Sequence, residues 1–112
     1  MIVYISGPYS APTPEGIDRN IHIARHMAIR VWEAGLTALC PHLNTAHFEE
    51  DCKCSYVDFM RGDIELLEKC DAVLMLPGWD HSKGAIMERN HALIENIPVF
   101  YKIEELLAKR NA

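Results

Sequence analysis

Two carboxylates in this chain stand where side chains should pack. Glu88 follows Gly84 by four residues and Ala85 by three and precedes Ala92 by four, so in a helix it shares a face with the smallest side chains of its segment. Asp63 sits in the apolar stripe of an earlier segment, seven residues after Tyr56, three after Met60 and four before Leu67. Burying a charge without a partner is costly, so each carboxyl must be paired within the fold or kept for chemistry. For Asp63 the structural solutions are a buried cation, with Arg61 and His91 as candidates, or backbone N–H donors. The chemical solution is glycosyl transfer, in which one carboxylate attacks the anomeric carbon and another handles protons.

The elements that must carry these residues follow from periodicity. Apolar runs at Ile2–Ser6, Leu36–Cys40, Ala72–Leu76 and Pro98–Tyr101 read as strands. Between them, Ile21, Ala24, Met27, Ala28, Val31 and Trp32 predict a helix over Ile17–Ala34 stopped by Gly35, after a break at Pro14 and Gly16. Tyr56, Phe59, Met60, Ile64 and Leu67 predict a second over Ser55–Lys69. A third opens on Ser82 or Asp80 and runs to Glu95, and Ile103–Arg110 forms a short terminal helix. Strands alternating with helices imply right-handed crossovers around a parallel sheet. The expected architecture is one α/β domain over residues 1–112, a flavodoxin-like or Rossmann-like three-layer sandwich whose mainly parallel sheet has the order 2-1-3-4.

Composition narrows the function. The 112 residues are 49% hydrophobic and 24% charged, as in ordinary globular domains, and the formal charge of -5 argues against a surface that coats polymeric nucleic acid. A small nucleotide needs only local donors and stays open. Met1-Ile2-Val3-Tyr4-Ile5 reads as a first strand and not a signal peptide, and no apolar run reaches membrane-spanning length. The expected compartment is the cytoplasm, with Cys40, Cys52, Cys54 and Cys70 as reduced thiols.

In an open parallel sheet, ligands bind beyond the carboxyl ends of the strands. Gly7-Pro8-Tyr9-Ser10, Pro41-His42-Leu43-Asn44 and Pro77-Gly78-Trp79-Asp80 all leave strands there, and Pro41–Cys54 is long enough to be a binding loop. His42 and Asn44 are candidates to hydrogen-bond a base or sugar, or to hold their own loop. Trp79 can stack a base or seal a core edge, while Pro8 and Tyr9 shape the first loop.

Four motifs carry a resemblance over almost the whole chain: Tyr4-Ile5-Ser6-Gly7-Pro8-Tyr9; Cys40-Pro41-His42-Leu43-Asn44-Thr45; Gly62-Asp63-Ile64 ahead of Cys70-Asp71-Ala72; and Ser82-x-Gly84-Ala85-x-x-Glu88 with Ala92. In this order and spacing the sequence resembles the nucleoside 2-deoxyribosyltransferase-like superfamily, in particular its short bacterial and phage branch. That resemblance implies a retaining double displacement at C1′ of a nucleoside or nucleotide, with no metal or redox cofactor. It implies Glu88 as nucleophile, Asp63 as the residue that orients the sugar or protonates the departing base, and Tyr4 as a hydrogen-bond donor to the nucleophile. Ser82, six residues before Glu88, matches a phosphate-contacting serine of the superfamily's deoxynucleotide N-hydrolases, although an ordinary helix cap explains a serine there equally well. The chain departs from those hydrolases at Ser10-Ala11-Pro12-Thr13, where they carry an arginine and glycine-rich loop. A homodimer or larger homo-oligomer is expected, since small open crevices are often completed by association.

Two other classes compete. Cys40, His42, His47, Cys52 and Cys54 could wrap a zinc ion, but one residue between Cys52 and Cys54 is poor spacing for a structural site. A non-catalytic nucleotide-binding module on the same fold is the other, because a fold does not dictate function.

Overall fold

The computed structural model describes residues 1–112. Its sheet has four parallel strands in the order β2-β1-β3-β4: β1 (Ile2–Ser6), β2 (Thr37–Leu39), β3 (Ala72–Met75) and β4 (Val99–Phe100). Tyr4 pairs with Leu39 on one side and Val73 on the other, and Val73 pairs with Val99. The first crossover leads from β1 to one edge and the next returns past β1 to β3, so the topological switch point lies between β1 and β3.

Six helices cover the sheet: α1 (Pro14–Glu33), α2 (Pro41–Asn44), α3 (Phe48–Asp51), α4 (Tyr56–Leu67), α5 (Lys83–Ile94) and α6 (Ile103–Asn111). Strand alternation divides the layers. Val3 and Ile5 pack with Ala24, Ala28 and Val31 of α1 and with Ile103 and Leu106 of α6. Tyr4, Val73 and Met75 pack the other way, against Leu67 of α4 and Ala85 and Ala92 of α5. The three-layer α/β sandwich and the 2-1-3-4 order expected from the sequence are those observed, with every strand parallel.

Three local expectations are corrected and one is met. Helix α1 starts at Pro14 because proline suits the first helical turn, and Thr13 caps it by accepting the Gly16 N–H at 3.1 Å. Gly35 is the expected stop: at φ +86° it ends the helix in the left-handed region, with the Leu36 N–H returning to the Val31 carbonyl at 3.2 Å. The segment between positions 41 and 54 folds into α2 and α3 and is not irregular throughout. The stripe of α4 is not a closed core: Leu67 is its one fully buried residue, and Tyr56 is 51% exposed.

Candidate active site

Glu88 reaches the sheet because α5 packs on the face of β1 to which Tyr4 and Ser6 both point. Two residues apart on a strand, they share a face and present two hydroxyls to one carboxylate. Tyr4 Oη donates to Glu88 Oε2 at 2.6 Å, and Ser6 Oγ donates to Oε1 at 2.7 Å. Glu88 is only 7% exposed, and no cation lies among its partners. Burial therefore raises its pKa to about 7, against the lowering by the Tyr4 and Ser6 bonds, and the Asp63 charge raises it further. Burial and then Glu88 itself hold the Tyr4 phenol well above its ordinary range, so it stays a donor.

Glu88 opens onto a cavity of about 580 Å³ beyond the carboxyl ends of β1 and β3, within the size range of small-molecule sites. Across it, α4 supplies Tyr56, Phe59, Met60 and Asp63, which recur at helical spacing and so line one wall. Desolvation alone lifts Asp63 to about 6. Neither suggested cation takes it: Arg61 pairs with Asp58 at 3.6 Å and His91 with Glu68 at 3.0 Å. Helices α4 and α5 approach closely at Gly84, where a Cβ would come within 3.2 Å of Tyr56 Oη and 3.4 Å of Met60 Sδ. Gly7 is tighter still, since a Cβ there would lie 2.6 Å from Leu76 Cβ.

The remaining wall is a pair of loops fastened together. Tyr9 Oη donates to the Glu49 carboxylate at 2.9 Å and accepts the His47 N–H at 2.8 Å. His42 Nε2 lies 2.8 Å from the Pro8 carbonyl, which it meets as an N–H donor, and burial lowers its pKa. His47 Nε2 lies 2.6 Å from Asp18 of α1; that hydrogen bond is the main reason its pKa is raised.

Of the residues singled out in the sequence, Glu88, Asp63, Gly7, Pro8, Tyr9, His42, Ser82 and Gly84 line this cavity, and Tyr4 lies behind it, bonded to Glu88. Ser82 caps α5 by accepting the Ala85 N–H at 3.2 Å while lining the cavity beside Lys83 and His81. Two residues are elsewhere. Trp79 packs on Tyr101, ring centroids 5.5 Å apart, with the Arg89 guanidinium 5.1 Å from its ring, sealing the end of β3 and β4. Asn44 lines a separate cavity. The five suggested zinc ligands do not converge: His42 and His47 are engaged as above, and Cys52 Sγ accepts the Cys54 N–H at 3.2 Å. Glu68, His91 and Glu95 do bring ligand atoms within 4.8 Å of one another, on the outer surface. No helix is long and apolar enough to cross a membrane.

Sequence reasoning missed Ser6 and the wall formed by Tyr56, Phe59 and Met60. The signal for Ser6 was its position two residues after Tyr4. For the wall it was Asp63 itself, since a stripe that includes an unpaired carboxylate fits an open cavity better than a sealed core.

A four-stranded parallel sheet of this order, flanked by helices, is the fold shared with two 2-deoxyribosyltransferases of known structure. The enzyme from the psychrotolerant bacterium Bacillus psychrosaccharolyticus superposes with a TM-score of 0.62 at 18% identity, covering 88% of this chain and 69% of that one. The Leishmania mexicana 2-desoxiribosyltransferase superposes with a TM-score of 0.59 at 15% identity, covering 88% of this chain and 61% of that one. At these identities the likeness is one of fold. Residues 1–101 match a family described as Domain of unknown function (DUF4406), and the chain belongs to that family. No curated protein matches it.

Proposed function

We propose that this protein breaks the N-glycosidic bond of a 2′-deoxynucleoside or its 5′-monophosphate by retaining double displacement, passing the deoxyribosyl group to water or to a second base. The observation that carries the reading is Glu88: a buried carboxylate at a cavity edge, each oxygen held by a hydroxyl of β1, with Asp63 on the same cavity. Two hydroxyl donors fix the carboxylate's direction without neutralising it as a cation would, which suits a nucleophile.

In the first step a Glu88 oxygen bonds to C1′ as the C1′–N bond breaks, and the base leaves with a proton from Asp63. In the second, water or another base attacks C1′ from the opposite face, returns a proton to Asp63 and releases Glu88. Burial holds both carboxyls above their ordinary range, Asp63 at about 6 and Glu88 at about 7, so each can carry a proton near neutrality. Reaction requires the state with Asp63 protonated and Glu88 ionised. Positive charge developing on the sugar beside Glu88 favours it, by stabilising the ionised nucleophile.

Where α5 begins, Ser82, Lys83 and the first backbone N–H groups form an end of the cavity suited to a 5′-phosphate. Gly7, Pro8, Tyr9, His42 and Gly84 shape the sugar and base space. The reading includes a homodimer or larger assembly in the cytoplasm, for which exposed Val57 and Ile94 offer apolar surface.

Mass spectrometry of free base released from a panel of deoxynucleosides and deoxynucleotides, with and without an acceptor base, tests the reading. Release by the wild type and its loss in Glu88→Ala are expected; no release, or equal release by the variant, overturns it. A preference for monophosphates that Lys83→Ala weakens would establish the phosphate end.

A further inference from the structure

Asp63 forms part of a partition. Between α4 and the end of α2 lies a second cavity of about 490 Å³, with Asp58, Glu65 and Lys69 also in its lining, and Asp63, Phe59 and Thr45 line both spaces. Gly62 faces only the second one. It occupies the middle of a twelve-residue helix, where glycine is the poorest choice after proline. Neither usual reason for a helical glycine applies. Its φ is not positive, and an added Cβ would meet nothing within 4 Å. What its missing side chain leaves is open space next to Asp63.

The proposed double displacement, on which this inference rests, gives such a space a use. Between the two steps the sugar stays esterified to Glu88 while the first base departs and the second reactant arrives. The departing base takes its proton from Asp63, so it lies against Asp63 at that moment and therefore at the partition. Leaving through the main cavity would take it past the retained sugar. The second cavity has the Phe59 ring for stacking and the Asn44 amide for a heterocycle's polar edge, while the Thr45 hydroxyl, which donates to the Pro41 carbonyl at 3.3 Å, can accept from it.

We propose that the second cavity is the port through which the free nucleobase leaves and its replacement enters, and that Gly62 keeps it open. This gives Asn44 a place in base passage outside the main cavity.

The port is tested by filling it with Gly62→Leu, a change that favours the helix, and from the opposite wall with Asn44→Trp. Arg61→Leu, at the exposed neighbouring position outside the cavity lining, controls for placing a leucine on α4. Isotope-labelled protein titrated with free hypoxanthine should show amide shifts at Gly62, Asn44 and Leu66 in the wild type. Gly62→Leu and Asn44→Trp should bind the base at least tenfold more weakly, while Arg61→Leu binds as the wild type does. Exchange of labelled base into a deoxynucleoside should fall at least tenfold in both filled variants, with the mass of the acid-quenched Glu88 ester still appearing. Hypoxanthine shifts confined to residues of the main cavity such as Gly7 and Gly84, or wild-type exchange rates in both filled variants, would overturn the port. Absence of the ester in the wild type would instead refute the glycosyl mechanism, and the titration would still decide whether the second cavity takes a base.

Discussion

The environment of Glu88 makes a prediction that needs no substrate. Burial raises its pKa from 4.5 to about 7 in the folded protein. Between those values the native state holds a proton that the unfolded chain has lost, so stability is fully present below about pH 4.5 and declines as pH rises through about 7. A displacement from 4.5 to about 7, at about 1.4 kcal/mol per pH unit, amounts to about 3 kcal/mol. Glu88→Gln removes the titration while keeping the shape: its amide oxygen can accept from Tyr4 and its NH₂ can donate to a reoriented Ser6 hydroxyl. Asp58 and Glu104, whose pKa values are lowered, oppose this trend by losing stability as pH falls, but they are common to both proteins and cancel in the difference. Urea unfolding of the wild type and Glu88→Gln, followed through Trp32 and Trp79 fluorescence in steps from pH 4 to 8.5, measures that difference. The wild type should lose about 3 kcal/mol relative to the variant across the window. Parallel stability curves would refute the reasoning, because they would mean that Glu88 ionises as freely in the fold as in the unfolded chain.

Three further outcomes follow from the same geometry. Ser6→Ala should raise the Glu88 pKa by about 1–2 units, since a hydrogen bond to a charged group contributes about 1.5–3 kcal/mol; carbon NMR of the glutamate carboxyl reads this directly, and an unmoved titration would remove Ser6 from the site. The pH profile of kcat/KM should be a narrow bell with its maximum between about 6 and about 7, falling on the acid side as Glu88 protonates and on the alkaline side as Asp63 ionises. Asp63→Asn should lose the alkaline limb, and activity unchanged from pH 5 to 9 would sink this assignment of protons. Gly62→Ala should raise unfolding stability by about 1 kcal/mol through helix propensity alone; a drop in Tm would mean that the space beside Gly62 is needed for packing.

The sequence carried the sheet because its strands announce themselves twice, by apolar runs and by the helices between them. Ile2–Ser6 is the observed first strand to the residue, since it is paired on both sides and its register is held by Asp71, whose carboxylate accepts the Ile2 N–H at 2.7 Å. The edge strands shrink to Thr37–Leu39 and Val99–Phe100 because each has a partner on one side only. Pro14 misled for a different reason. A proline after a threonine reads equally as a break or as the first helical residue, and the choice rests on whether the Thr13 hydroxyl finds the Gly16 N–H.

What was not legible is the third dimension of the loops and of α4. The sequence brought Trp79 and Asn44 to the strand ends but could not say which way each side chain turns. Trp79 turns to Tyr101 and Arg89 because that contact buries an aromatic face and receives a cation, whereas the cavity would leave the ring open. Helix α4 shows why periodicity alone misassigns a face. Tyr56, Phe59, Met60 and Leu67 satisfy the same apolar spacing whether they meet a sheet or a cavity, and only Leu67, at the end nearest the core, meets the sheet side. The carboxylate among them carries the missing information. Asp63 has no cation to neutralise it and is pushed up to about 6 by desolvation alone, so a sealed core would force it to remain neutral. A cavity wall instead lets it change protonation state, which is what the proposed double displacement asks of Asp63.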